Sequence, residues 1–256
     1  ILSLVSFITP VNADVKVVAS IKPLHSLASY LMDGVGKPDL IVEGYGSPHG
    51  FSMKPSHAKI LQNADLIFWV GEDLEIFLEK PLSSIAKKAE KIELMEIKGL
   101  NVLKFRERNI FDKHDHDDHD DHGKKEDDHD DHEHDDHDKK EEHADHDDHD
   151  GHEGHAHGEY DPHIWLDPMN AKVILNKMVE HLIENDAKNA SKYKSNLKNA
   201  FKDIDKLTAD VKADLSKSTA SIVFHDAYQY FEERFDINIL GAFTVNTDVM
   251  PGAEQL

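Results

Sequence analysis

Cysteine is absent from all 256 residues. That excludes disulfides and any thiolate metal site, so a transition metal could be held only by imidazole and carboxylate. Long apolar runs are also missing. Ile1 to Val11 is apolar but falls short of the ~20 residues a membrane helix needs, so no stable membrane insertion is expected. A basic stripe is lacking too, which leaves nothing to meet a phosphate backbone and excludes a nucleic-acid partner. Neither His-Glu-x-x-His nor Gly-x-Ser-x-Gly occurs, so the usual motifs of zinc peptidases and serine hydrolases give no support to an enzyme.

The apolar opening ends in Val11-Asn12-Ala13, a small-residue cleavage pattern. Residues 1–13 therefore read as the tail of a secretory signal peptide, with the mature chain starting near Asp14 in the periplasm. A buried N-terminal strand is the rival reading of the same residues.

What is present in excess is negative charge and histidine. The net charge is −22, with 20 histidines. Between Asp112 and Glu159 stand 23 Asp and Glu against five Lys, a balance of −18, leaving 28 acidic against 24 basic residues elsewhere. Residues 112–158 have almost no aliphatic side chains; they cannot bury enough surface to fold and read as a disordered insertion.

Around that insertion the pattern is α/β. Strands are expected at Val15–Ser20, Asp39–Glu43, Asp65–Val70, Ile92–Ile97, Ser221–Phe224 and from Ile237 to Phe243. Helices are expected at Pro23–Met32, from Pro55 to Asn63, Glu72–Lys88, Asn170–Glu184 and Tyr228–Arg234. Asp65-Leu66-Ile67-Phe68-Trp69-Val70 is nearly continuous in its apolar character, which suits a parallel strand covered on both faces. Trp69, Trp165 and the phenylalanines read as core. From Ala187 to Leu215 a thin apolar stripe (Tyr193, Leu197, Phe201, Ile204, Leu207, Val211, Leu215) predicts one helix of about 40 Å, suited to a spine between two lobes. The expected organisation is a first α/β lobe over 14–186, a linker helix over 187–217 and a second α/β lobe over 218–256. The last residues, Pro251 to Leu256, read as the first turn of a helix, so the second lobe is expected to be incomplete.

Fourteen histidines fall in the insertion: His114, His116, His119, His122, His129, His132, His134, His137, His143, His146, His149, His152, His155 and His157. The recurring His-Asp-Asp-His spacing lets a flexible chain wrap imidazoles around an ion, so weak, multiple and unselective metal sites are expected here. A solvated acidic spacer is the plain alternative. Outside the insertion, His49, His163 and His225 each follow an expected strand or sit at a loop or helix start, where α/β folds place ligand groups. Three imidazoles from distant segments form a zinc-like set if the fold brings them together; on spacing alone each is equally an ordinary surface residue. His57 and His181 read as surface residues, and His25 as packed or capping.

Several segments together resemble one family: Ser20-Ile21-Lys22-Pro23-Leu24, Ser47-Pro48-His49-Gly50-Phe51, Ala64-Asp65-Leu66, Asp161-Pro162-His163-Ile164-Trp165-Leu166-Asp167-Pro168, Phe224-His225-Asp226-Ala227-Tyr228, and Phe243 through Ala253. That family is the cluster A-I (ZnuA-type) zinc-binding solute-binding proteins of ABC importers. The resemblance implies two lobes of parallel sheet flanked by helices, joined by one long rigid helix, with zinc in the cleft between them. It implies a non-enzymatic monomer that captures zinc in the periplasm and delivers it to a membrane permease. His49 and His163 would come from the first lobe and His225 from the second. Manganese and iron carriers of this kind tend to have a carboxylate at the last position, and three nitrogens favour zinc. Pro48 occupies the place where some relatives carry an acid, so the fourth ligand would be water or a late Asp. A manganese, nickel or copper carrier, a metal-storage or metallochaperone protein acting through the insertion, and a hydrolytic metalloenzyme are the competing readings.

Overall fold

The structure, a computed structural model, describes residues 15–106, 158–215 and 220–244. The signal-peptide reading, the insertion with its fourteen histidines and the terminal helix turn lie outside the described residues.

Four short parallel strands form the main sheet: β1 (Val17–Ala19), β2 (Asp39–Leu40), β3 (Leu66–Trp69) and β4 (Glu90–Glu93), in the order β2-β1-β3-β4. Side chains alternate across a strand, and the two faces bury different clusters. Val17, Ala19, Leu66 and Phe68 face one core, while Val18, Ile67 and Trp69 face the other. All four residues of β3 are buried, as its unbroken apolar run predicts for a central parallel strand.

Helices cover both faces. On one side lie α1 (Lys22–Leu31), α4 (Pro168–Asn185) and α5 (Ala190–Leu215), the last with 26 residues. On the other lie α2 (Pro55–Asn63) and α3 (Glu72–Ser84). Proline near the first turn of α1, α2 and α4 starts each helix where no intrahelical donor is needed. Asp167 caps α4 by accepting the Met169 N–H at 2.8 Å. The α5 stripe is buried at Tyr193 and Ala200 and fades beyond them, with Leu207 left exposed. A second pair of parallel strands, β5 (Ser221–His225) and β6 (Ile239–Thr244), is joined by α6 (Gln229–Phe235).

The expected α/β class with parallel strands and one long helix holds. Several details differ, among them shorter strands at β1 and β2 than expected. β4 occupies Glu90–Glu93 rather than Ile92–Ile97, because pairing with β3 ends where a turn closes from the Leu94 carbonyl to the Ile97 N–H. α3 stops at Ser84, one turn after Pro81. Phe224 is exposed rather than core, on the same strand face as the exposed Ile222. His57 is buried rather than superficial: its Nδ1 accepts the Lys54 N–H at 3.1 Å and its ring stacks on Phe51.

Candidate metal centre

The three segments that carry His49, His163 and His225 are positioned by different means. His49 lies in the loop between β2 and α2, where its N–H donates to Ser47 Oγ at 3.2 Å. Gly50, directly after it, has φ +67, a left-handed conformation that glycine adopts without strain. His163 stands just before a 3-10 turn (Ile164–Leu166) that leads into α4. His225 is the last residue of β5.

The fold brings these rings together. Their centroids are 5.0 to 5.7 Å apart, and one nitrogen from each lies within 4.8 Å of the others. The Nε2 atoms of His163 and His225 are 3.2 Å apart. Nitrogens on a tetrahedral ion with bonds of ~2.0–2.1 Å would be about 3.3 Å apart, so the arrangement is close to a zinc-binding geometry. Among the described residues no carboxylate joins this set.

His163 is buried and the most tightly held of the three. Asp161 accepts both its backbone N–H, at 2.9 Å, and its ring Nδ1–H, at 2.6 Å. A carboxylate on Nδ1 keeps the proton there and turns the Nε2 lone pair toward the other two rings. Trp165 meets the same ring edge-on at 5.3 Å. Asp226, next to His225, is buried, and burial together with the Asp161 charge pushes its carboxyl up to about 6 against the opposing pull of Arg106. Asp161 and Asp226 stand in the sequence motifs with no role assigned to them there, although the Asp-Pro-His spacing is the one at which an Asp side chain can accept the N–H two residues on.

A set of ties connects α6 to the loops around His163. Tyr230 OH donates to the Asp161 carbonyl at 2.6 Å and accepts the Leu103 N–H at 3.1 Å. Arg234 grips Asp167 through two bonds of 2.7 and 2.6 Å, a bidentate geometry that fixes orientation as well as distance. Arg106 pairs with Glu232, and Asn101 donates to Glu233 at 3.1 Å. The β5–β6 unit, and with it His225, is thereby registered against His163.

The remaining histidines outside the insertion do not belong to this cluster. His25 bonds the Pro38 carbonyl at 3.0 Å, in keeping with a packed role. His181 is not the solvated surface residue expected: its side chain is only 13% exposed and faces Glu90.

A family model described as "Zinc-uptake complex component A periplasmic" matches residues 17–256. The chain belongs to the ZnuA family. The high-affinity zinc uptake system protein ZnuA of Brucella abortus (strain 2308) is 49% identical over 242 residues, 94% of this chain and 70% of that protein. The protein of the same name from Yersinia pestis is 32% identical over 246 residues, 95% and 70% of the two chains. Among solved structures, a crystal structure of ZnuA matches with TM-score 0.68 at 17% identity, covering 95% of this chain and 75% of that one. A Mn-bound periplasmic metal-binding protein from Candidatus Liberibacter asiaticus matches with TM-score 0.64 at 18% identity, covering 93% and 71%. At these identities the structural likeness is one of fold. The ZnuA family is one of periplasmic transport components.

Proposed function

We propose that this chain captures zinc in the periplasm and hands it to the membrane permease of an ABC importer, with His49, His163 and His225 as its ligands. The convergence of three imidazoles from three separate segments on one point carries the reading. Zinc is the cargo. Imidazole nitrogens suit it better than the harder manganese, and the site is assembled on packed elements, so little ordering entropy is lost on binding. A fourth ligand would be water or a carboxylate from beyond the described residues. When zinc leaves, the 3.2 Å between the Nε2 atoms of His163 and His225 suits an N–H···N hydrogen bond between the two rings.

On this reading residues 14–186 and 218–256 act as two lobes with α5 as the spine between them, and residues 1–13 are the export signal. N-terminal sequencing of the mature protein from its native compartment should begin near Asp14.

The central test is a competitive zinc titration of the full-length protein. The unaltered protein should show one tight equivalent, followed by weaker uptake. His49→Ala, His163→Ala and His225→Ala should each abolish the tight phase while leaving the weak one. A triple variant that keeps the tight phase would overturn the assignment.

A further inference from the structure

A second cluster of metal-ligating groups lies at the other end of α4. His181 and Glu184 share its last turns at i and i+3, and Glu90 opens strand β4 beside them. His181 Nδ1 is 2.7 Å from Glu90 Oε1 and 3.6 Å from Glu184 Oε2. The cluster is far from the imidazole triad. His181 is fourteen residues along the helix from Asp167, about 21 Å at 1.5 Å per residue. Glu90 also begins its strand, so it sits at the edge of the parallel sheet opposite the strands' carboxyl ends.

We infer that Glu90, His181 and Glu184 form a second, weaker site for a borderline divalent cation of the zinc class. Three observations lead there. First, His181 Nδ1 is shut off from solvent and makes no well-directed hydrogen bond, its close neighbour being the Glu90 carboxylate. A buried polar group without a bond is uncommon and calls for an ion or a water. Secondly, a proton on Nδ1 serves only one carboxylate. It would point toward Glu90 at best, and 3.6 Å is too long for a bond to Glu184. An ion seated among the three donors serves all of them, and the two separations of 2.7 and 3.6 Å straddle the ~3.3 Å between donors on a tetrahedral ion with ~2.0–2.1 Å bonds. Thirdly, the surroundings are prepared for a cation. Asn185 Nδ2 holds Glu90 Oε2 at 3.0 Å, leaving Oε1 toward His181. The carbonyl end of α4 has no basic residue in its last turn, and a helix C-terminus favours positive charge. A groove of about 660 Å³ along β4 and α4 is lined in part by Glu90 and His181.

One imidazole and two carboxylates make a harder donor set than three imidazoles. This site should therefore fill after the triad, and it should discriminate less against manganese. Glu184 is exposed and Glu90 is half-exposed, its side chain at 41%, so substituting them disturbs no core.

The test uses the full-length protein at constant pH with zinc chloride as the probe. Histidine side-chain nitrogens are followed by NMR, and zinc-edge anomalous maps are taken from zinc-soaked crystals. The His181 ring resonances should shift only after the first zinc equivalent and saturate in the micromolar range, with an anomalous peak between its ring and both carboxylates. In the Glu90→Gln/Glu184→Gln double variant both signals should vanish, while the peak at His49, His163 and His225 stays. Two results would overturn the inference: no peak at His181 once the triad is filled, or a His181 response unchanged by the double substitution.

Discussion

At the scale of single residues, the zinc reading depends as much on Asp161 as on the three histidines. Its carboxylate sits at 1% exposure and accepts two bonds from His163, so it sets both the tautomer and the direction of the Nε2 lone pair. Groups of this kind typically account for 10–100-fold in metal affinity. Asp161→Ala should weaken zinc binding by about that factor in a competition titration. Asp161→Asn keeps an acceptor for the His163 N–H and should lose less. If zinc affinity is unchanged in Asp161→Ala, His163 is oriented by something other than this contact. The burial of His57 is a residue-scale surprise with a plain cause. Its ring occupies the third position of α2, where it accepts the Lys54 N–H, a role usually taken by Glu or Gln.

Among the elements, the junction of β3 and α3 holds a buried carboxyl. Glu75 is buried, and its Oε2 accepts the Val70 and Gly71 N–H groups at 2.7 and 3.1 Å. Its own backbone leaves helical geometry, at φ −123 and ψ 47, so the side chain folds back over the start of α3. Burial pushes its carboxyl up to about 7, against the hydrogen bonds that favour the charged form. A folded-state value above the unfolded one means the folded protein holds the proton more tightly. The associated stability is complete below the unfolded value of 4.5 and is lost as pH rises through about 7. Glu75→Gln cannot titrate and keeps an oxygen acceptor. Its stability curve should therefore lack this decline, so that relative to the parent it gains up to about 3 kcal/mol between pH 4.5 and 8. Glu93 and Asp226 are shifted the same way, so the difference between parent and variant, read from denaturant melts at several pH values, reports Glu75 together with its coupling to Glu93. Parallel curves across that window would show that Glu75 does not carry the proton.

At the scale of the whole molecule, the acidic insertion leaves and rejoins the fold at one place. Lys104 and Tyr160 form an antiparallel bridge, the Phe105 N–H meets the Glu159 carbonyl at 3.2 Å, and the Asp161 N–H meets the Leu103 carbonyl at 2.8 Å. With its two ends already side by side, the connection can be shortened without moving the frame. Deleting residues 115–155 shortens the connection roughly fivefold, worth only about 1.4 kcal/mol in closure entropy. The deletion should therefore leave thermal stability and the tight zinc equivalent unchanged while lowering total zinc uptake. Poorer growth is expected only when zinc is scarce, because the insertion concentrates charge and imidazole that would raise the local zinc concentration. Loss of the tight equivalent would mean that the insertion supplies a ligand to the triad.

Periodicity was enough for the α/β class, the central place of β3 and the single long helix, because alternation and helical spacing are local properties written into neighbouring residues. The absence of cysteine restricted any metal site to imidazole and carboxylate before any fold was considered. His49, His163 and His225 stood out as candidates by their loop positions, but their convergence was not legible from spacing. It depends on Tyr230, Arg234 and Arg106 tying α6 to the loops at 101–106 and 161–167, contacts between residues more than sixty positions apart. The same holds for His181, whose partner Glu90 lies on another element. Local sequence decides which surfaces are apolar and where helices start. Which charged side chains meet is decided only when those surfaces pack, since a salt bridge or a metal site needs atoms placed to within a fraction of an ångström by the whole fold.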